Sequence, residues 1–512
     1  MLTARILTAT ELIGKSLRKE IRSIVSRRNI SAVFFQNLKY MKKEPVKVRE
    51  ASAEARVGNF EEVVKGYSEE EALLEASRCL QCKNPLCSSG CPVGIDIKKF
   101  IYHITQKDYK SAYFTIREKS NFPSICGRVC PAEYQCRKAC VLTKKGSLFA
   151  SEQAINIHFL ERFAGDFGKD NNLEVPQGKE EKLSEFKVAV VGSGPAGLCC
   201  AGELARKGVK VDIFESLHKT GGVLRYGIPP FRLPWDVLDF EINYLKKLGV
   251  NFITNFLVGK ARTVKELFAQ GYSKIFLGLG AGVPSFLGIK GENLCNIYSV
   301  NEFLTRVNLM SAYKFPEFHT PVNIGKNVLI VGGGNTAMDS ARVALRLQKI
   351  KGFALNTTVI YRRTEIEMPA RRLEIEHARE EGIKFEFLVQ PKEFIGDEQG
   401  FVKKLICLRS RLGDPDSSGR RRPVIIEGSE FELDCDLCVI AVGLKANQIL
   451  INATPELKTD KYSDVIVDSE SMESSIKGVF AGGDIVGGEG TVIEAMGMAK
   501  KASRAIIDEL SK

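Results

Sequence analysis

Eight of the fourteen cysteines in this chain fall between Cys79 and Cys140. They form two runs, Cys79-x2-Cys82-x4-Cys87-x3-Cys91-Pro92 and Cys126-x3-Cys130-Pro131-x4-Cys136-x3-Cys140. Closely spaced thiolates let one short loop grip several irons, and in ferredoxin-type runs the last cysteine reaches the other cluster. Two iron–sulfur clusters with interleaved ligands are therefore the natural reading. A disulfide framework belongs to small secreted domains in oxidising compartments. Structural zinc takes paired Cys-x2-Cys or Cys/His sets, whereas the gaps here run 2, 4, 3 and, from Cys130, 5, 3.

At 512 residues the chain can build roughly three domains of ~150 residues, each with its own core. Hydrophobic content of 44% and charged content of 27% are those of an ordinary soluble protein. No run approaches the ~18 apolar residues of a membrane helix. The net charge of +12 invites nucleic acid as a partner, but residues 1–44 hold ten Lys/Arg against three Glu. More than half of the excess sits in that segment, and the body is too mildly basic for a nucleic-acid surface. Leu2, Ile6, Leu7, Ile13, Leu17, Ile21 and Ile24 recur there at near-helical spacing, as in an organellar presequence, although Glu11 and Glu20 are atypical of one. The expected location is a mitochondrion-like matrix or the cytoplasm; a packed or solvated extension is the other reading of the segment.

Residues 45–167 read as a mostly helical cluster domain, with a helix from Ser68 to Glu75 and another over 96–118. A polar linker follows at 168–185. The stretch from Phe186 is an apolar strand, a glycine turn, a helix and a second strand ending in an acid. Gly192, Gly194 and Gly197 give the tight turn, the close approach to a pyrophosphate and the helix–strand packing of a dinucleotide site. Glu215 stands where an acid meets ribose hydroxyls. A second copy has Gly332, Gly334 and Ala337, and its second strand ends in Arg362-Arg363 with no acid. Guanidinium forks grip a 2′-phosphate that an acid would repel, so this copy is expected to prefer NADP; arginines merely facing solvent are the alternative. Near the C-terminus, Gly482-Gly483-Asp484 and a helix start near Thr491 form another anion-holding turn. It suits the first dinucleotide domain if the second is inserted within it. The expected boundaries are 186–300 and 441–512 for the FAD domain and 301–440 for the NADP domain. The fold class is α/β, a helical two-cluster domain followed by two Rossmann-like domains.

The strings CLQCKNPLCSSGCPVGIDI, CGRVCPAEYQC, VVGSGPAGL, GGVLRYGIPPFRLP, VGGGNTAMD, YRRTEIEMPAR and FAGGDIVGGEGTVIEAM, in this order, resemble the small (β) subunit of NADPH-dependent glutamate synthase. Relatives are the N-terminal half of dihydropyrimidine dehydrogenase and the large subunit of ferredoxin:NADP transhydrogenase. The resemblance covers about residues 60–512. It implies two [4Fe–4S] clusters, one on Cys79, Cys82, Cys87 and Cys140, the other on Cys91, Cys130, Cys136 and a carboxylate in IHFLERF, Glu161, with Cys126 a spare. For FAD it implicates Gly192, Gly194, Ala196, Gly197, Glu215, Gly222, Val223, Arg232, Val258, Gly483, Asp484, Thr491 and Val492, with Arg232 pairing a flavin phosphate. For NADPH it implicates Gly332, Gly333, Gly334, Asn335, Thr336, Arg362, Arg363 and Arg371, or Arg372 in its place.

The implied chemistry is hydride transfer from NADPH to FAD and single-electron transfer through the clusters. It belongs to the cofactors, so no protein acid, base or nucleophile is nominated as catalytic. Every segment is consumed by clusters, FAD and NADP, which leaves none for an amidotransferase. The implied partner is a protein electron acceptor: a synthase large subunit, a ferredoxin or a flavoprotein, with the chain acting singly or as an oligomer. A ferredoxin:NADP oxidoreductase or bifurcating transhydrogenase subunit is the alternative function. Two intact fingerprints argue against a non-catalytic redox sensor.

Overall fold

The computed structural model describes residues 44–143, 150–175, 181–416, 419–488 and 490–512. The leader segment lies outside these, apart from Glu44. Among the described residues, five helices longer than one turn build the cluster domain: α1 (Glu69–Ser77), α2 (Ile97–Thr105), α3 (Tyr109–Arg117), α4 (Pro123–Val129) and α5 (Ile157–Asp170). Ser68 caps α1 and exchanges hydrogen bonds with Glu71, a capping box that fixes where the helix begins. The single helix expected over 96–118 is two. Lys107 takes φ +59° and Asp108 caps Ser111, so the chain turns a corner between α2 and α3. Phe100, Ile101 and Ile104 of α2 and Ala112 and Ile116 of α3 face one core with Leu160 and Ala164 of α5.

The chain then enters an all-parallel sheet through β1 (Lys187–Val191), α6 (Pro195–Arg206), β2 (Lys210–Phe214), β3 (Asn251–Ile253) and β4 (Lys274–Leu277). It leaves to build a second parallel sheet from β5 (Ile297–Ser299), β6 (Val328–Val331), β7 (Thr357–Tyr361), β8 (Lys384–Phe387) and β9 (Leu437–Ile440). Helix α7 (Asn335–Ile350) connects β6 to β7, and α8 (Arg372–Glu380) connects β7 to β8. An antiparallel meander, Val389–Gly396 through Phe431–Asp434, precedes β9. The chain returns with β10 (Val479–Ala481) beside β4, followed by α9 (Val492–Leu510). The sheet orders are β10-β4-β1-β2-β3 and β8-β7-β6-β9-β5. The second domain is thus an insertion in the first. Strands buried on both faces, such as β1 and β6, are the continuous apolar runs that such sheets require.

The two crossings between domains pair with each other, as Ala281–Pro284 runs antiparallel to Leu444–Ala446. The second sheet draws its edge strand from Ile297–Ser299, ahead of the boundary expected at residue 301. Helix α5 likewise runs three residues beyond 167. No helix among the described residues is long and apolar enough to cross a membrane.

Candidate functional site

Both glycine fingerprints open onto one cleft of roughly 630 Å³. In each fingerprint the first glycine takes positive φ, +100° at Gly192 and +146° at Gly332. A Cβ there would lie 2.4 Å from the Gly278 carbonyl oxygen and 2.2 Å from that of Ala441. At the next fingerprint glycine, Gly194 and Gly334, a Cβ would meet nothing within 4 Å. That open space at the N-terminus of α6 and of α7 is where a pyrophosphate can approach backbone N–H groups. Gly197 and Gly333 pack instead, against the Gly192 carbonyl and the Tyr361 ring.

The first-domain part of the cleft wall holds Ala196, Glu215, Gly222, Val223, Arg232, Val258, Gly483, Asp484, Thr491 and Val492 together with Gly192 and Gly194. Gly334, Asn335 and Thr336 enter from the second domain. The Glu215 carboxylate accepts from Ser193 N at 3.0 Å and from Leu217 N at 2.8 Å. It therefore braces the glycine turn while standing at the end of β2. Asp484 accepts from Gly490 N at 3.2 Å, and burial pushes its carboxyl above the usual range against that bond. Thr491 caps α9 in a capping box with Glu494. Sequence reasoning missed Tyr226, Phe256, Asp339, Asn447 and Pro131, which also line the cleft. Tyr226, Asp339 and Pro131 lie within the strings quoted above but drew no role there, whereas Phe256 and Asn447 lie in no motif and only the tertiary fold brings them here.

The arginines differ from expectation. Arg232 is buried and pairs with Asp339 at 2.7 Å and Glu374 at 3.0 Å, both from the second domain. Burial works to lower its pKa, but the two carboxylates outweigh burial and raise it. With its charge balanced, Arg232 fastens the domains together rather than offering itself to a flavin phosphate. Arg363 is buried too, donating to Asp416 at 2.7 Å and to the Arg421 carbonyl at 2.7 Å, so it is not available to a 2′-phosphate. Arg362 is exposed at the end of β7. Arg371 points away from the coenzyme side: its Nη1 donates to the Arg128 carbonyl at 2.7 Å, in the cluster domain. Arg372 donates to the carbonyls of Glu365 and Ile366.

Seven of the eight cysteines sort into two groups. Cys79, Cys82, Cys87 and Cys140 line one small cavity with Leu80, Leu86 and Ile97. Cys91, Cys130, Cys136 and Glu161 lie within electrostatic reach of one another. Among the described residues, no three thiols bring their sulfurs within 4.8 Å of one another. Burial, then the neighbouring Cys79 and Cys140, push the Cys87 thiol up to about 12. Burial, with Glu161 adding to it, pushes Cys91 up to about 11. Burial alone pushes the Glu161 carboxyl up to about 8, and its Oε1 has no hydrogen-bond partner. Thiolates and a carboxylate in such surroundings need a cation, which cluster irons supply. The residues present fit the group. The eighth, Cys126, is buried beside this set, its thiol against that of Cys130 and its Sγ 3.8 Å from Met496 Sδ on α9.

Comparison with known proteins agrees with this geometry. Residues 56–173 match the model described as dihydropyrimidine dehydrogenase domain II, 4Fe-4S cluster, and residues 186–502 match pyridine nucleotide-disulphide oxidoreductase. The glutamate synthase [NADPH] small chain of Azospirillum brasilense is 33% identical over 459 residues, which cover 89% of this chain and 92% of that one. The chain belongs to the glutamate synthase small-chain family. The family is that of NADPH-dependent oxidoreductases carrying FAD and [4Fe–4S] clusters. The NADPH-Fe(3+) oxidoreductase subunit beta of Geobacter sulfurreducens is 35% identical over 82% of this chain and 63% of its own length. Mycobacterium tuberculosis FprA in complex with NADPH shares the fold, with a TM-score of 0.53 and 21% identity over 64% of this chain and 84% of that one.

Proposed function

We propose that this small-chain homologue takes electrons from NADPH in the cleft between its nucleotide domains and hands them to a protein docked at Cys79, Cys82, Cys87 and Cys140. The observation that carries the reading is the order of the sites. Val129 and Pro131, which bracket Cys130, stand in the cleft wall with the FAD-side residues. Gln135 Nε2 donates to Thr491 Oγ1 at 3.3 Å, tying the Cys130–Cys136 loop to the start of α9. The Cys91, Cys130, Cys136 and Glu161 set is therefore the inner one. The other set reaches the surface, where Leu80, Leu86 and Val141 are 46%, 56% and 47% exposed.

When bound, FAD accepts a hydride from NADPH and releases single electrons, and the two [4Fe–4S] clusters carry those one at a time. The chain's own residues bind, orient and exclude water. The turns at Gly192–Gly194 and Gly332–Gly334 hold the pyrophosphates, Glu215 meets the FAD ribose, and Arg362 meets the 2′-phosphate of NADPH. Arg232, Asp339 and Glu374 keep the two domains closed around the cleft. A glutamate synthase large subunit, a ferredoxin or a flavoprotein all fit the outer face by chemistry. Relatives of similar identity are named for different acceptors, so the acceptor is the finer part of the proposal.

Protein purified without oxygen is expected to hold about eight iron and eight sulfide per chain. It is expected to reduce viologen with NADPH, and one of the three protein acceptors much faster. Glu161→Ala is expected to alter the EPR signal of the inner cluster alone. A zinc-containing protein, or one cluster per chain, would remove the ligand assignment.

A further inference from the structure

Among the described residues, four of the buried side-chain polar atoms that lack a partner belong to residues of or beside the inner set: Glu161 Oε1, His158 Nδ1 one turn earlier on α5, Arg137 Nε next to Cys136, and Nε of Arg371, which bonds the Arg128 carbonyl two residues before Cys130. Three of the four belong to groups that donate hydrogen bonds or carry positive charge. Such a set leaves room for a buried anion with acceptor atoms, and a cluster held by three thiolates and a carboxylate is one. Arg371 is the member that comes from the NADP domain. It is 2% exposed, and the carboxylate nearest to it, Glu374 at 3.7 Å, also serves Arg232 at 3.0 Å and Arg342 at 2.5 Å. Arg232 and Arg342 each have a second carboxylate, Asp339 and Glu381, and Glu381 also serves Arg346, so four guanidiniums, Arg371 among them, meet three carboxylates and a net positive charge is left.

The segment that carries Arg371 is bonded on both sides. Toward the coenzyme turn, Ala370 N donates to the Gly333 carbonyl at 3.2 Å and Arg371 N to Asn335 Oδ1 at 2.9 Å. Toward the cluster loop, Arg371 Nη1 donates to the Arg128 carbonyl, Arg372 N to Glu133 Oε1 at 3.1 Å, and the Tyr134 hydroxyl to the Ala370 carbonyl at 3.2 Å. Three consecutive residues thus join the NADP fingerprint to the loop between Cys130 and Cys136. We infer that Arg371 sets the reduction potential of the inner cluster, and that coenzyme bound at Gly332–Thr336 shifts this potential through residues 370–372. The inference rests on reading Cys91, Cys130, Cys136 and Glu161 as cluster ligands. A fixed cation beside the cluster favours its reduced, more negative state, so removing the charge makes the cluster harder to reduce.

The test is a potentiometric titration of the holoprotein, followed by EPR so that each cluster is read separately. Arg371→Met is expected to disfavour reduction of the inner cluster by about tenfold, or 59 mV for a one-electron couple, and to leave the outer cluster unmoved. Arg371→Lys, which keeps the charge, is expected to recover part of the shift. In a second arm, unmodified protein is titrated with 2′-phospho-ADP-ribose, which carries the coenzyme's phosphates but no nicotinamide. The inner potential is expected to move by about threefold or more in the reduction equilibrium, with the outer one fixed. Wild-type potentials in Arg371→Met overturn the first claim, and an inner potential indifferent to the ligand overturns the second. If Arg371→Met loses the inner cluster, Arg371→Lys with a wild-type inner potential supports the charge and a fully shifted one overturns it. Iron well below eight per chain in unmodified protein would instead fault the ligand reading.

Discussion

Coenzyme choice comes down to two adjacent residues that look equivalent in the sequence. Arg362 and Arg363 follow the last residue of β7, Tyr361, in a bend that exposes the first and buries the second. One stays exposed and the other is spent on Asp416 and the Arg421 carbonyl. Charge-assisted hydrogen bonds to phosphate contribute about 1.5–3 kcal/mol, which is roughly tenfold to a hundredfold in affinity. Arg362→Ala is therefore expected to lower kcat/KM for NADPH by that factor and leave NADH little changed. Arg363→Ala is expected to act chiefly on stability, because it removes one of the donors to Asp416 and the donor to the Arg421 carbonyl. Steady-state rates with both coenzymes decide the matter, and a loss of NADPH preference in Arg363→Ala alone would reverse the two roles. The fingerprint glycines were legible because the need for positive φ is a local property. What occupies Arg363 was not, since its acid lies 53 residues away in the chain.

Helices and strands were legible where burial follows a simple period and obscure where charge is buried. The α2–α3 corner had a local signal, Asp108 capping Ser111, beneath an apolar pattern that runs through it. Helix α7 is a different case. Arg342 and Arg346 read as its polar face, yet both are 0% exposed. Arg342 contacts Glu374 at 2.5 Å and Glu381 at 2.7 Å, Arg346 contacts Glu381 at 2.7 Å, and both guanidiniums lie over the Phe231 ring. Burial opposes ionisation of Glu381, but the two arginines overcome it and hold the carboxyl at about 2. A depressed folded pKa gives stability that is present above the usual carboxylate range and fades as pH falls toward about 2. Glu381→Gln leaves the buried Arg346 without its charge partner and Arg342 with Glu374 alone, which costs on the order of 3–5 kcal/mol. Urea unfolding at neutral pH is expected to show that loss. Unfolding of the variant is also expected to depend less on pH between about 5 and 2 than that of unmodified protein. A variant as stable as the parent would mean that the network is not needed to hold the NADP domain.

At the scale of the whole molecule, the two fingerprints and the returning turn at Gly482–Asp484 announced an insertion, because the NADP half already had a phosphate turn of its own. The stitching between domains was silent: the Arg232 clamp and the 370–372 bridge join residues that no motif pairs. On the proposed ligand assignment the cofactor sites run from the cleft to the inner thiols to the outer thiols, and the face at the outer thiols is the exit. Leu80, Leu86 and Val141 surround the outer set there, Lys98 lines the same cavity, and Lys83 and Lys138 are exposed close to Cys82 and Cys140 in sequence. Apolar contacts ringed by cations suit an acceptor with an acidic rim around its own redox centre. Leu86→Glu puts a like charge against that rim and removes apolar contact, without touching the cleft. It is expected to lower kcat/KM for the protein acceptor by about tenfold or more, a loss of ~1.4 kcal/mol. Flavin bleaching by NADPH and turnover with viologen, which needs no docked surface, are expected to hold at the wild-type rate. A fall in all three rates would mean that the substitution damages the cluster domain. An unchanged acceptor rate beside intact flavin reduction would move the exit to another face.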